Sequence, residues 1–244
     1  IVTGAASGIG RAVAERLLTD GAAVVGVDLN PDTAEAFDDE AWRGVVGDVS
    51  DGQVLEAAVD RAVRDFGGVD MVVIAAGIFL PSQPIGELDD GAWERAFRVN
   101  VTAPARLLRA TQPYLALAPR GGRVVLVSTK NVAAPGPGVA AYSASKAAAA
   151  QLARVAALEW AEQGIRVNQV EPDAVFDTAI WTPELLEARA AHYGLTVDEY
   201  RTRNLLHVEV TSATVAEAVA AFCESFSATT GAHLSVDGGN DRVI

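Results

Sequence analysis

The chain is poor in the residues that staple or metallate proteins. It has one cysteine, Cys223, among 244 residues. No internal disulfide can form, and a lone reduced thiol suits the cytoplasm. Cys223 reads as small core filler on a late helix. The three histidines, His192, His207 and His233, lie far apart in no metal-ligand spacing, which argues against a bound metal or a His-based triad. Every apolar run is broken well short of the roughly 18 residues that cross a bilayer, and no charged-then-apolar leader opens the chain. Positive charge is scarce as well. A formal net charge of −13 makes nucleic acid and anionic lipid poor partners. The chain also opens without methionine, at Ile1, inside what reads as a strand; a preceding segment is expected, from a few residues to a whole domain.

What is present suits a soluble globular protein. Half of the residues are hydrophobic and 21% charged, enough for a sizeable core. A continuous apolar run at 22–27 and further strand-like runs at 69–75, 123–128 and 165–170, with shorter ones at 1–3, 44–47 and 233–236, alternate with segments of helical periodicity. Leu55, Val59, Ala62, Val63 and Phe66 show that period clearly. A short acidic helix-like piece is expected over 31–40, and a long helical region from a cap at Asp89 to about residue 117. Another helix is expected from Tyr142 to about residue 163, and one near 213–224. Strands that read as unbroken apolar runs, each followed by a helix, indicate a parallel sheet covered on both faces. The expected architecture is one Rossmann-type, doubly wound α/β domain over 1–244, with about seven strands. Residues 173–212 show no strand pattern and read as a lid, in which Trp181, Tyr193 and Tyr200 either wall a small pocket or pack the lid helices.

Ligands of such sheets bind beyond the carboxyl ends of the strands. There the first strand runs into Gly4-Ala5-Ala6-Ser7-Gly8-Ile9-Gly10. Glycines let backbone approach a pyrophosphate, and the helix that follows offers free N–H groups and positive potential. Asp28 ends the second strand 18 residues after Gly10, close to the spacing of a carboxylate that binds the adenosine ribose. A carboxylate there repels a 2′-phosphate, and neither Ser7 nor Leu29 carries a compensating charge, so the pattern favours NAD over NADP. Alternatively Asp28 merely caps the acidic helix. Asp48, at the end of the third strand, is a similar cap or an acceptor for the adenine amino group.

The second constellation is Ala141-Tyr142-Ser143-Ala144-Ser145-Lys146. Residues four apart share a helix face, so phenol and ammonium can share one site. A tyrosine pKa near 10 must fall by about three units to make a base at neutral pH, which takes roughly 4 kcal/mol. One positive charge at about 4 Å, in an effective dielectric near 20, supplies about that much. Alone, the spacing is equally an ordinary helix with one tyrosine and one lysine.

In their order, Thr3-Gly4-Ala5-Ala6-Ser7-Gly8-Ile9-Gly10, Asp48-Val49, Ala75-Ala76-Gly77, Asn100, Tyr142-x-x-x-Lys146 and Val236-Asp237-Gly238-Gly239 resemble the short-chain dehydrogenase/reductase family along nearly the whole chain. The resemblance implies that Tyr142 exchanges a proton with the substrate oxygen. Lys146 would hold the nicotinamide ribose and depress the tyrosine pKa, and Asn100 would order a water behind the lysine. A hydroxyl at Thr129, where serine is usual, would orient the substrate; Ser128 is the alternative, although strand alternation points it the other way. Asn131 and Trp181 would touch substrate. Gly4, Ser7, Gly8, Ile9, Gly10, Asp28, Leu29, Asp48, Val49, Ala75, Ala76, Gly77, Tyr142 and Lys146 would bind the cofactor, with backbone near Pro172 and Val175. Thr178 would join them, although it stands one residue later than the family's spacing, and Asp173 replaces the usual glycine after Pro172. The family also implies a homodimer or homotetramer.

The runs 128–138 and 172–181 and the ending Gly238-Gly239-Asn240-Asp241-Arg242-Val243-Ile244 are narrower. They resemble the dehydrogenase half of bacterial bifunctional proteins that join a rhamnulose-1-phosphate aldolase to a short-chain alcohol dehydrogenase. That likeness implies a small substrate such as lactaldehyde, a role in rhamnose metabolism and a fused aldolase domain. A free sugar or polyol is the alternative substrate, and a catalytically decayed NAD-binding module the alternative function. Lys130 either faces a substrate anion or is a solvated loop residue.

Overall fold

A strand buried on both faces is built mostly of apolar residues, as 24–27, 72–74 and 124–127 are here, whereas the strand over 166–172 also carries Arg166, Asn168, Gln169 and Glu171. The computed structural model describes residues 1–240. Its strands are β1 (Val2–Thr3), β2 (Val24–Asp28), β3 (Trp42–Val46), β4 (Met71–Ile74), β5 (Arg123–Val127), β6 (Arg166–Pro172) and β7 (His233–Val236). They form one seven-stranded sheet in the order β3-β2-β1-β4-β5-β6-β7, and every pairing is parallel. The expected doubly wound parallel sheet is the one observed.

Alternate residues along each strand feed two cores. Val72, Ile74, Val124 and Leu126 pack with Leu55 and Val59 of α2 (Gly52–Phe66), Leu107 and Leu108 of α4 (Ala103–Leu115), and Ala149 and Ala153 of α5 (Ala140–Trp160). Val73, Val125 and Val127 face the other layer, meeting Val13 and Leu17 of α1 (Gly8–Thr19) and Val215, Val219 and Phe222 of α8 (Ser212–Glu224). Cys223 lies buried in that second core, where desolvation pushes its thiol up to about 12. It is the inert filler its surroundings suggested. The strand order reverses direction between β1 and β4, the switch point at which such sheets open a crevice.

Three expectations change in detail. The acidic piece after β2 is only a 3-10 turn, Pro31–Glu35, and its cap is Asn30, whose side chain accepts from the Asp32 N–H. The residues beyond, Asp38, Asp39 and Glu40, offer no apolar face to continue it. The long helical region is two helices, α3 (Asp90–Phe97) and α4, joined by a π turn over Arg98–Thr102. The segment after β6 forms α6 (Pro183–His192) and α7 (Val197–Arg201) around a small core of its own, Phe176, Leu186, Ala190 and Tyr200. Trp181 and Tyr200 therefore pack together there, their ring centroids 6.2 Å apart. Of the C-terminal run singled out in the sequence, Asp241, Arg242, Val243 and Ile244 lie outside the described residues. Among the described residues no helix is long and apolar enough to cross a membrane.

Leu107 is 1% exposed at the centre of the first core. Leu107→Ala is expected to cost about 2–5 kcal/mol, the range for a buried leucine that leaves a cavity, measured as a lower urea midpoint with an unchanged slope.

Candidate active site

The glycine turn sits at the carboxyl end of β1 beside the switch point. Gly4 adopts φ 71°, and a side-chain carbon there would stand 2.9 Å from the Ala76 nitrogen. At Gly10 such a carbon would stand 2.0 Å from the Gly4 carbonyl oxygen. Both positions need glycine, one for conformation and one for contact. Helix α1 starts after Ser7, whose side chain makes no capping bond, and its first turn contains no acidic residue. The positive end of that helix is thus left unneutralised at the sheet edge, as an anion site requires.

Asp28 lies against this turn. One carboxylate oxygen accepts from the Ala6 N–H at 3.0 Å and the other from the Asn30 N–H at 3.0 Å. It ties the turn to the end of β2 and is not the cap of the following helical turn, which is Asn30. Leu29 is 70% exposed beside it. Asp48 is exposed and accepts from the Ser50 N–H, while Val49 packs against the first core. Across the crevice, Ala75 and Ala76 both donate backbone N–H groups to the Thr3 hydroxyl, which takes up bonding that polar side chains on β4 would otherwise supply. Thr178 comes close to Gly8, its methyl carbon 3.2 Å from where a side-chain carbon on Gly8 would stand. Its hydroxyl donates to the carbonyl of buried Val175 at 2.8 Å. Pro172 closes β6 next to them. The one-residue shift of Thr178 along the chain does not remove it from the glycine turn.

Tyr142 and Lys146 occupy the first two turns of α5, as the spacing predicts. Their electrostatics differ from the expectation. The Lys146 ammonium is buried and donates to the Val127 carbonyl at 2.8 Å; desolvation lowers its pKa from 10.5 to about 8. Tyr142 is pushed above its ordinary value, first by burial and also by the Asp173 charge, while a hydrogen bond from Thr129 pulls the other way. The shared helix face led one to expect a lowered phenol; burial prevails and the phenol is raised. Phe79 stands edge-on to the tyrosine ring at 4.8 Å.

Thr129 and Ser128 separate cleanly. Thr129 presents its hydroxyl to Tyr142 and also accepts from the Asn131 N–H at 3.3 Å. Ser128, one residue earlier, is buried with its hydroxyl unpaired. Asn100 lies buried in the π turn. Its amide oxygen accepts from the Ile78 N–H at 2.9 Å, and its nitrogen donates to the Ile78 carbonyl and to the Ser145 hydroxyl. Ser145 in turn donates to the Tyr142 carbonyl. The Asn100 side chain is thus spent on holding the β4–α3 loop to α5. A carbon added to Gly77 would stand 3.3 Å from the Asn100 amide oxygen and 3.5 Å from the Lys146 nitrogen, so these three meet at one spot. Trp181 sits in the lid's aromatic cluster, 4.8 Å from the Phe176 ring. Sequence reasoning passed over Phe79 and Ser145; both are common residue types in positions whose neighbours come from distant segments.

A cavity of about 710 Å³ lies at the other end of the sheet, around Ile1, Asp20, Asp70 and Arg123, away from Tyr142 and the glycine turn. Among the described residues no group of three His, Cys, Asp or Glu is arranged to hold a metal.

Comparison with known proteins gives the class. Residues 1–187 match the family model described as short chain dehydrogenase. The chain is 37% identical over 253 residues to YuxG of Bacillus subtilis, an uncharacterized oxidoreductase; the match covers 98% of this chain and 37% of that much longer protein. It is 37% identical over 249 residues to the cis-4-hydroxycyclohexanecarboxylate dehydrogenase of Sinomonas cyclohexanicum, covering 100% and 96% of the two chains. Among solved structures it resembles ligand-free aldohexose dehydrogenase (AldT) of Thermoplasma acidophilum, with a TM-score of 0.84 at 26% identity, covering 100% of this chain and 93% of that one. The chain belongs to the short-chain dehydrogenase family, whose enzymes are oxidoreductases that use nicotinamide dinucleotides.

Replacing Lys146 tests the cost of its burial. A lysine whose folded pKa lies below its unfolded value destabilises the fold while both states are protonated, and this cost disappears as pH rises between the two values. Wild-type stability should therefore gain a contribution between about pH 8 and 10.5 that Lys146→Met lacks. At pH 7 the variant should be more stable by about 2 kcal/mol, from a shift worth about 3 kcal/mol less about 1 kcal/mol for the lost hydrogen bond. Urea unfolding of both proteins at pH 7 and pH 10 measures the difference.

Proposed function

We propose that the protein is an NAD-linked oxidoreductase that interconverts an alcohol and a carbonyl, with a small hydroxy-aldehyde such as lactaldehyde as its substrate. The observation that carries the reading is the buried Tyr142 phenol, with Thr129 near enough to act on it, at the carboxyl edge of the sheet that also holds a glycine turn whose helix has no acidic residue in its first turn. The residues present fit the dinucleotide. The backbone of Gly4, Ser7, Gly8, Ile9 and Gly10 would hold the pyrophosphate and Asp28 the adenosine ribose. Leu29, Asp48 and Val49 would border the adenine. Ala75, Ala76, Gly77, Lys146, Pro172, Val175 and Thr178 would surround the nicotinamide half. Among the described residues Asp28 joins no ion pair within 4.0 Å, so a 2′-phosphate would meet an uncompensated carboxylate. This favours NAD.

When bound, the nicotinamide supplies or takes the hydride. The chain's own part is proton transfer and orientation. Tyr142, kept neutral by its raised pKa, donates a proton to the substrate oxygen in reduction. In the reverse direction it must first be deprotonated, which the Thr129 hydrogen bond favours. Thr129 also orients the substrate oxygen, leaving Ser128 a buried strand residue. Asn100 holds the loop that carries Gly77 and Phe79, and through it the wall of the site. Asn131 and Trp181 are assigned to the substrate side, under a lid formed by 173–212.

The narrower resemblance is supported by the length relation with YuxG: the chain accounts for 37% of that protein, as a dehydrogenase segment in a longer fusion would. A fused aldolase domain and a role in rhamnose use go with it. The aldohexose dehydrogenase likeness favours a second reading, oxidation of a free sugar or polyol. A homodimer or homotetramer is proposed from the exposed apolar residues of α5, Val155 and Leu158.

Tyr142→Phe is expected to lower kcat by about 10²–10⁴, the usual contribution of a general acid, while NADH still binds by fluorescence titration. Retained turnover would remove the proposed proton donor. In the wild type, the raised tyrosine pKa predicts that oxidation accelerates with pH through pH 9 while reduction does not. Asp28→Asn should narrow the preference for NAD over NADP, read as the ratio of kcat/KM values; an unchanged ratio would remove Asp28 from cofactor choice.

A further inference from the structure

The chain contains two lysines among its nineteen basic residues, Lys130 and Lys146, and both lie at this site. Lys146 is spent on the sheet. Lys130 follows Thr129 at the end of β5, next to Asp173 at the end of the neighbouring strand β6. Its ammonium reaches an Asp173 carboxylate oxygen at 2.6 Å, with the two side chains only 22% and 15% exposed. The Asn240 side-chain amide donates to the same oxygen. Asp173 also lies close enough to Tyr142 for its charge to act on the phenol. Behind it Ala174 has φ 52°, a left-handed conformation that is unfavourable for a non-glycine residue. Such strain persists where the surroundings over-determine it, often beside a functional group.

We propose that the Lys130–Asp173 pair is a specificity determinant that selects substrates carrying a hydroxyl on the carbon next to the reacting one, namely 2-hydroxy aldehydes and the vicinal diols they form. This rests on the oxidoreductase reading above. With the reacting oxygen at the Tyr142 and Thr129 hydroxyls, the neighbouring hydroxyl falls toward Lys130 and Asp173, accepting from one and donating to the other. A pair of opposite charges suits a neutral group that is both donor and acceptor. A substrate carboxylate or phosphate would meet Asp173 with Lys130 already neutralised, and a plain alkyl chain would gain nothing from either. Because the two charges satisfy each other, a substrate without the hydroxyl strands no buried charge. Discrimination should then be about ten- to a hundredfold, the value of a hydrogen bond to a charged group. Sites left with unpaired polar groups reach far larger ratios.

The test is NADH-dependent reduction of lactaldehyde against propanal, which differ by that one hydroxyl, by the wild type and by Lys130→Met and Asp173→Asn. The wild type should favour lactaldehyde about ten- to a hundredfold in kcat/KM. Both variants should bring the ratio toward one. A ratio preserved in both variants overturns the proposal. So does an equal fall for both aldehydes, the signature of a pair that only braces the lid. A wild type that does not distinguish the aldehydes overturns the proposal and leaves the oxidoreductase reading standing. A wild type that turns over neither overturns that reading and the proposal with it.

Discussion

The contact on which the site depends is the Lys146 ammonium against the Val127 carbonyl. An ammonium taken out of water needs a fixed acceptor, and the last carbonyl of β5 provides one. That contact sets where α5 meets the sheet edge. The helix can come so close because the face it offers is alanine, at 149, 150, 153, 156 and 157, all buried. With the helix seated, Tyr142 one turn earlier lies over Thr129, Ser145 reaches Asn100, and Asn100 holds the loop after β4. Several segments far apart in the chain are thus placed by one buried charge and the carbonyl it needs.

The electrostatic arrangement follows from how that charge is used. The Lys146 ammonium is turned to the Val127 carbonyl, and burial dominates at Tyr142, raising its pKa. The local anion, Asp173, pushes in the same direction, and Lys130 stands against it. The phenol is therefore held in its protonated form, with the two strand-end charges beside it paired across β5 and β6. The glycine turn supplies the opposite polarity a few residues into the chain, through a helix end that carries no acidic residue.

Much of this was legible in the residue pattern. Unbroken apolar strands separated by helical periods can be satisfied only by a parallel sheet with both faces covered. The spacing of Gly4, Gly8 and Gly10 answers to backbone geometry alone. That only a short 3-10 turn fills the start of 31–40 was not legible, because acidic residues that can cap a turn look much like those that open a helix. The π turn around Asn100 was hidden as well, since nothing in Arg98-Val99-Asn100-Val101-Thr102 distinguishes a π turn from an ordinary helical one.

What the sequence determined by itself is whatever depends on neighbours along the chain: strand and helix order, the glycine turn, the four-residue step from Tyr142 to Lys146 and the alternation that separates Thr129 from Ser128. What only the tertiary structure decided is where each charge is spent. Lys146 could have faced the phenol or the sheet, and Asp28 could have capped a turn or tied the glycine loop. Lys130 could have stayed in solvent. Those outcomes turn on burial and on partners 19, 22 and 43 residues away, and the energy of a charge is set by its surroundings in space, which spacing along the chain does not encode.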